Sequence, residues 1–316
     1  MIHAVRAAAL AAVRPAVLSS VLSAGLVALL AVTSPPAAAA ALRYCDAPPP
    51  LDARQQDRRL RFAAVIRREL QASGQAVALV ARSGLDLQRF DVRYSHAGVS
   101  LRDSPNTPWS VRQLYFACEE GAPRLYDQGL AGFVQGNHDA DAGFVSVLLL
   151  DAADGAALQR AALDPARALQ LLGARYSANA YPFDTTYQNC NQWLAELLAA
   201  AWAGPGVVQD RLQAQRWLQD AGYEPHLFDV GSAWLMLAGA FVPWLHSGDH
   251  PEADIALKRY RVSMPAAIEG FVRRTRPGVQ RLEFCHDAHQ VVLRRGWRPI
   301  ADGCVAEAGD TVLDLR

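Results

Sequence analysis

Two side chains of this 316-residue chain have the types needed for covalent chemistry, the thiol of Cys190 and the imidazole of His96. Cys190 lies in Tyr187–Trp202, YQNCNQWLAELLAAAW. Leu194, Leu197, Leu198 and Ala201 follow it at helical spacing, so the cysteine opens an apolar-faced helix. Asn189 is a favoured N-cap type and starts that helix at Cys190 itself. A thiol in the first turn meets unpaired backbone N–H groups and the positive end of the helix dipole, which stabilise a thiolate. The competing reading is an inert buried cysteine, and reactivity further demands a base.

Of His96, His138, His226, His246, His250, His286 and His289, only His96 falls within an alternating strand pattern. In Tyr94–Leu101, YSHAGVSL, Ser95, Ala97, Val99 and Leu101 point one way, and His96, Gly98 and Ser100 the other. Gly98 and Ser100 are small and leave room above the ring. A hydrogen-bonded structural histidine is the alternative. Paired with Cys190, His96 would take the thiol proton and return it to the leaving group.

The surrounding elements must bring these groups together. Asp52–Ser73 has helical periodicity through Phe62, Ile66 and Leu70, with Gly74 in the C′ position. Ala76–Ala81 is a short apolar strand. The turn residues DSPNTP then lead into Trp109–Ala117, the expected hairpin partner of the histidine strand. Leu130–Val134 and Phe144–Leu150 read as further strands, and Asp154–Leu163 and Pro165–Leu172 as helices. An aromatic loop, Tyr176–Tyr187, precedes the cysteine helix. Gln209–Ala221 is a helix ended by Gly222, and Ser232–Leu245 suits a buried helix rather than a membrane span. A short helix at Met264–Val272 and strand-like runs near Val279, Val291 and Val312 complete the chain.

The first 41 residues have the pattern of a secretory signal peptide: Arg6 and Arg14, an apolar run over Val17–Val32, and small residues at Ala37–Ala41. Removing Arg6 and Arg14 leaves 29 basic against 31 acidic residues, a net charge near −2 that favours neither nucleic acid nor an anionic membrane surface. Hydrophobic residues at 51% are ample for a sizeable core. The expected location is periplasmic or secreted. Five cysteines in an oxidising compartment leave one over. Cys285 with Cys304, and Cys45 with Cys118, would leave Cys190 free, although spacing alone does not determine connectivity.

The order YSHAGVSL, second strand, aromatic loop, YQNCNQW resembles the circularly permuted branch of the NlpC-like (papain-like) cysteine peptidase superfamily, with its YiiX-like and lecithin:retinol acyltransferase relatives. The resemblance covers about Arg93–Trp202, and the whole mature chain resembles an exported bacterial family, domain of unknown function 2145. The superfamily resemblance implies Cys190 as nucleophile and His96 as base. It also implies a third polar residue on the next strand, where Gln113 matches best and Glu119 is the alternative. An aromatic hydroxyl at the oxyanion site falls to Tyr181, with Tyr187 second. Asn191, Gln192 and Trp193 depart from the small residues that often follow the cysteine.

Competing signals are weaker. Cys285, His286, His289 and Cys304 have spacing seen in metal sites, but a disulfide with two exposed histidines is expected. The cluster His246, Asp249, His250 and Asp254 has no metal-site spacing, and Asn137–Asp141 reads as a turn. The expected fold is α+β, a permuted papain-like core whose antiparallel sheet packs against the cysteine helix. The expected domains are 1–41 as signal peptide, 42–205 as catalytic core and 206–316 as a C-terminal region of helices and strands. No cofactor, metal, nucleic acid or membrane span is expected of the mature chain. The substrate would be a peptide, cell-wall or lipid acyl group, attacked at an amide or ester. The alternative is a non-catalytic envelope protein that uses the same cleft for binding.

Overall fold

A computed structural model describes residues 50–136 and 141–315, with Cys45 and Asp139. The segment expected to be a signal peptide, residues 1–41, lies outside the described residues, as does part of the expected turn at Asn137–Asp141. The first helix, α1 (Ala53–Ala72), begins at a capping box: Asp52 accepts from the Gln55 amide at 2.7 Å, and Gln55 Oε1 accepts from the Asp52 amide at 3.0 Å. Gly74, at φ +71°, takes the left-handed turn that ends it.

The centre is an eight-stranded antiparallel sheet. Its strands are β1 (Val77–Arg82), β2 (His96–Leu101), β3 (Ser110–Ala117), β4 (Ala122–Gln128), β5 (Gly143–Leu149), β8 (Gln280–His286), β9 (Gln290–Arg295) and β10 (Thr311–Asp314), in the order β10-β9-β8-β5-β1-β2-β3-β4. A two-stranded ribbon, β6 (His226–Asp229) with β7 (Arg259–Val262), stands apart. β1 is central and buried on both faces, hence its uninterrupted VALVA run. Its last residue, Arg82, pairs with the first of β2, His96. Residues after 205 therefore supply three strands of the main sheet.

Helices cover both faces. On one side pack α3 (Ala152–Leu163), α4 (Pro165–Gln170), α5 (Cys190–Trp202), α6 (Arg211–Asp220) and α9 (Pro265–Thr275), while the short α8 (Glu252–Ala256) precedes β7. They meet Leu79, Ala97, Val99, Leu101 and Leu114. On the other side α1 and α2 (Leu130–Gln135) meet Val80, Val111, Val145 and Phe284. The protein is thus α+β with a large antiparallel sheet, and no helix among the described residues is long and apolar enough to cross a membrane.

Four expectations change. Leu130–Val134, expected as a strand, lies in the helix α2; five residues of mostly apolar type carry no period that separates the two states. β4, APRLYDQ, was not expected because its solvent-facing polar residues hide the alternation. In Ser232–Leu245 only α7 (Ala233–Gly239) is helical, none of its residues is buried, and Trp234 and Phe241 are 80% and 81% exposed. Pro243 would clash with the carbonyl of Gly239, which stops the helix there and leaves only Val242 and Trp244 in the core. His286, expected at the surface, is buried within β8, while His289 is exposed. Disulfides join Cys45 to Cys118 and Cys285 to Cys304, and Cys190 is free.

Candidate active site

Cys190 is the first residue of α5, and Asn189 caps the helix by accepting from the Gln192 amide at 2.7 Å. The helix is held in place by full burial of Trp193, Leu194, Leu197 and Leu198. Each such side chain contributes about 1.5–3 kcal/mol. Trp193 keeps its indole N–H paired with the Ala168 carbonyl at 3.2 Å.

A polar network fixes the approach to the cysteine. Glu196, fully buried, accepts from Gln188 (2.6 Å), Gln215 (2.8 Å) and both Arg211 Nε (2.9 Å) and Nη2 (3.1 Å). Gln188 in turn accepts from the Gly173 amide and donates to the Leu171 carbonyl, locking the residues just before Asn189. Arg211 also donates to the carbonyls of Thr185 and Tyr187. The carboxylate is therefore fully partnered, as a buried charge must be.

Burial pushes the Cys190 thiol up to about 12, against the opposing effects of the Arg82 charge, of the first-turn backbone N–H groups and of the Tyr176 hydroxyl, each of which favours the thiolate. Tyr176 owes its position to a parallel bridge with Gln188, two residues ahead of the cysteine, and its ring stacks on Phe116 at 5.0 Å. No sequence pattern singled it out from the other aromatics of that loop.

His96 begins β2. Its Nε2 lies 2.6 Å from Gln113 Oε1, and Gln113 Nε2 donates to Gln128 Oε1 at 2.7 Å. A carboxamide oxygen only accepts, so the proton sits on His96 Nε2 and Nδ1 is the basic nitrogen of the neutral ring. A side chain at Gly98 would strike Val111 and the Arg112 carbonyl, so glycine there lets β3 come close enough for Gln113 to reach the imidazole. The ring packs against Tyr115 at 5.0 Å and Phe133 at 6.0 Å. Burial, then the nearby Arg82 charge, hold the imidazole down at about 3, against a smaller opposing effect of Gln113.

Asn191 Nδ2 donates to the Ser95 carbonyl at 3.2 Å. The residue after the cysteine is thereby tied to the residue before the histidine, at the end of the sheet where β2 starts. The thiol and imidazole approach this end from different faces: α5 packs over Ala97 and Val99, while His96 packs on Phe133 of α2. Among the described residues no hydrogen bond joins the two groups directly. At rest the site holds a neutral thiol and a neutral imidazole.

The remaining expected site residues lie further out. Glu119 is exposed beyond the end of β3. The Tyr181 ring packs against Phe183 and His250, and its backbone amide donates to Asp249 Oδ2 at 2.8 Å. Tyr187 stacks on His246 at 4.4 Å and beneath Arg175. At the sulfur itself the hydroxyl is that of Tyr176. Among the described residues no group of three or more His, Cys, Asp or Glu side chains could hold a metal ion.

Searches of curated proteins and of solved structures find no match to this chain. A family model described as an uncharacterized protein conserved in bacteria matches residues 69–272. That span runs from the end of α1 through the histidine strand and the cysteine helix to α9, and the chain belongs to this bacterial family, DUF2145.

Proposed function

We propose that the protein is an exported thiol hydrolase or acyltransferase with a permuted NlpC-like core, acting on an amide or ester bond. The observation that carries this reading is the Gln128–Gln113–His96 relay, which leaves Nδ1 of the imidazole as a base at the sheet end where Cys190 opens its helix. Neutral partners suit general-base chemistry, in which the proton leaves sulfur as sulfur attacks. Sγ bonds to the carbonyl carbon, the π electrons move to oxygen, and His96 takes the thiol proton. Collapse expels the amine or alkoxide, which receives that proton, and leaves a thioester on Cys190. Water or another acceptor then attacks the thioester and regenerates the thiol. Hydrogen bonds across the catalytic pair tighten in substrate complexes, so the thiol and imidazole would close on the substrate rather than bond at rest. The first-turn amides and the Tyr176 hydroxyl are the donors nearest the sulfur and suit a developing oxyanion.

The two disulfides fit an oxidising compartment, where stem peptides of the cell wall and acyl lipids are the substrate classes within reach. Incubating the mature protein with stem-peptide fragments, phospholipids and acyl thioesters, with Cys190→Ala as the blank, tests the assignment by mass spectrometry. Product formation that needs Cys190 supports it, and no turnover of any class contradicts it. A second reading, a non-catalytic protein binding in the same cleft, is favoured by one observation. Cys190 is only 6% exposed and bonds to Tyr176 rather than to the imidazole.

A further inference from the structure

Helix α7 and the turn after it hold an apolar stripe out to solvent. Trp234, Leu237 and Phe241 follow at i, i+3 and i+7, the spacing of one helix face. A globular helix buries that face, yet Trp234 is 80%, Leu237 51% and Phe241 81% exposed. No residue from 231 to 245 carries a charge. Ser232 caps α7 by accepting from the Leu235 amide, so the stripe is displayed on a formed helix. Its base is anchored. Val242 and Trp244 are buried, the Trp244 carbonyl accepts from the Ala178 amide at 2.8 Å, and the His246 carbonyl accepts from Asn179 Nδ2 at 2.8 Å. Ala178 and Asn179 belong to the aromatic loop that leads to Cys190. At the other end the Val230 amide donates to the Lys258 carbonyl at 3.0 Å, which ties the stripe to the β6–β7 ribbon.

Area and charge say what the stripe fits. Two aromatic side chains and a leucine present on the order of 500 Å². Each partner in a stable protein interface gives about 800 Å², so the stripe alone is too small for one. A bilayer accepts an apolar face of that size without shape complementarity, and cations at the edge of the face meet the headgroups. The ribbon supplies such an edge. Arg259 and Arg261 are paired with Asp229 and Asp254, while Lys258, the only lysine of the chain, stays exposed where ribbon and stripe join. We propose that α7 is a hook that inserts into the surface of a phospholipid bilayer, with Trp234, Leu237 and Phe241 in the acyl boundary and Lys258 at the headgroups. A net charge near −2 gives little long-range attraction, so the association is apolar in origin. Docking there sets the loop before the cysteine helix at the lipid surface. The inference stands apart from the thiol chemistry.

The test is flotation of the disulfide-intact mature protein with vesicles of phosphatidylcholine and phosphatidylglycerol, at low and at high salt, with urea unfolding run in parallel. Wild type should float with the vesicles at both salt concentrations. Trp234→Ser combined with Phe241→Ser should lower the partition coefficient by at least about thirtyfold, with a urea midpoint close to wild type because neither ring is buried. Lys258→Ser should lower it by no more than about fivefold, the effect of one cation near a charged surface. Wild type that stays in the buffer, a double variant that floats as well as wild type, or binding abolished by salt overturns the inference. So does a wild-type dimer in sedimentation that the double variant loses, which would make the stripe a contact between two copies.

Discussion

Asn191 reaches from the first turn of the cysteine helix to the carbonyl of Ser95, and this 3.2 Å bond pins the start of α5 to the start of the histidine strand. It makes the position after Cys190 a structural clamp, where a small residue would release the half-buried Ser95 carbonyl. Asn191→Ala should cost about 0.5–1.5 kcal/mol, the net worth of one hydrogen bond, read from urea unfolding. Reactivity of Cys190 should fall with it. A variant as stable as wild type would show that the clamp does not hold the two elements.

Gln128 is expected to matter through Gln113 rather than by touching the imidazole. Gln128→Met removes the acceptor that orients the Gln113 carboxamide, freeing it to turn its NH2 toward His96 and favour the other tautomer. Turnover should fall about tenfold or more, as expected when one hydrogen bond worth about 1.4 kcal/mol in the transition state is lost. Gln128→Glu keeps an acceptor and should rescue most of it. Equal activity in Gln128→Met and wild type would exclude the relay.

Two buried neutral imidazoles predict acid sensitivity. Burial holds His96 at about 3 and His286 at about 4, and both His286 ring nitrogens lack partners among the described residues. An unfolded histidine titrates near 6.5, so below that pH the unfolded chain binds protons that the folded one refuses. Stability is full above about 6.5 and is lost as pH falls toward the folded values, by about 1.4 kcal/mol per unit for each ring. Replacing His286 with Phe, beside Phe62 at 4.5 Å, should flatten that slope by one proton between about pH 6 and 4.5. Urea midpoints measured across the range check this, and an unchanged slope would contradict it.

Breaking the buried Glu196–Arg211 pair should be far more costly than any surface change. Arg211→Met leaves a fully buried carboxylate without its cation, and a loss of about 3–5 kcal/mol is expected in chemical unfolding. By contrast, Trp234→Ser with Phe241→Ser should shift stability by no more than about 0.5 kcal/mol each, since both rings face solvent. Comparable losses from the two kinds of change would mean that α7 is packed in solution.

Cys190, Asn189 and the helix they open were legible because N-cap chemistry and the spacing of Leu194, Leu197 and Leu198 are local. His96 was legible for a similar reason, since strand alternation fixes its face, while Gln113 came from the resemblance, which asked for a polar residue on the next strand. Gln128 was not, because β4 carries polar residues that mask its period. Arg82 was not, because a charge at the end of an apolar run is common (β9 ends in Arg294 and Arg295), and Gly136, Tyr115 and Phe133 close around it only in the fold. Tyr176 could not be separated from Tyr181 and Tyr187, because the bridge between Tyr176 and Gln188 is a tertiary contact. For Ser232–Leu245, apolar composition suggested burial, whereas Pro243 and the packing of Trp244 decide which end is covered.

The central claim is that Cys190 carries an acyl group with His96 as its base. The most direct measurement is formation of a thioester on Cys190 from an activated ester, followed by release of the leaving group and by peptide mapping. Wild type should acylate at Cys190, Cys190→Ala should not, and His96→Ala should acylate roughly a hundredfold more slowly, the usual scale of general-base assistance. An adduct absent from Cys190, or one that forms as fast without His96, would contradict the account.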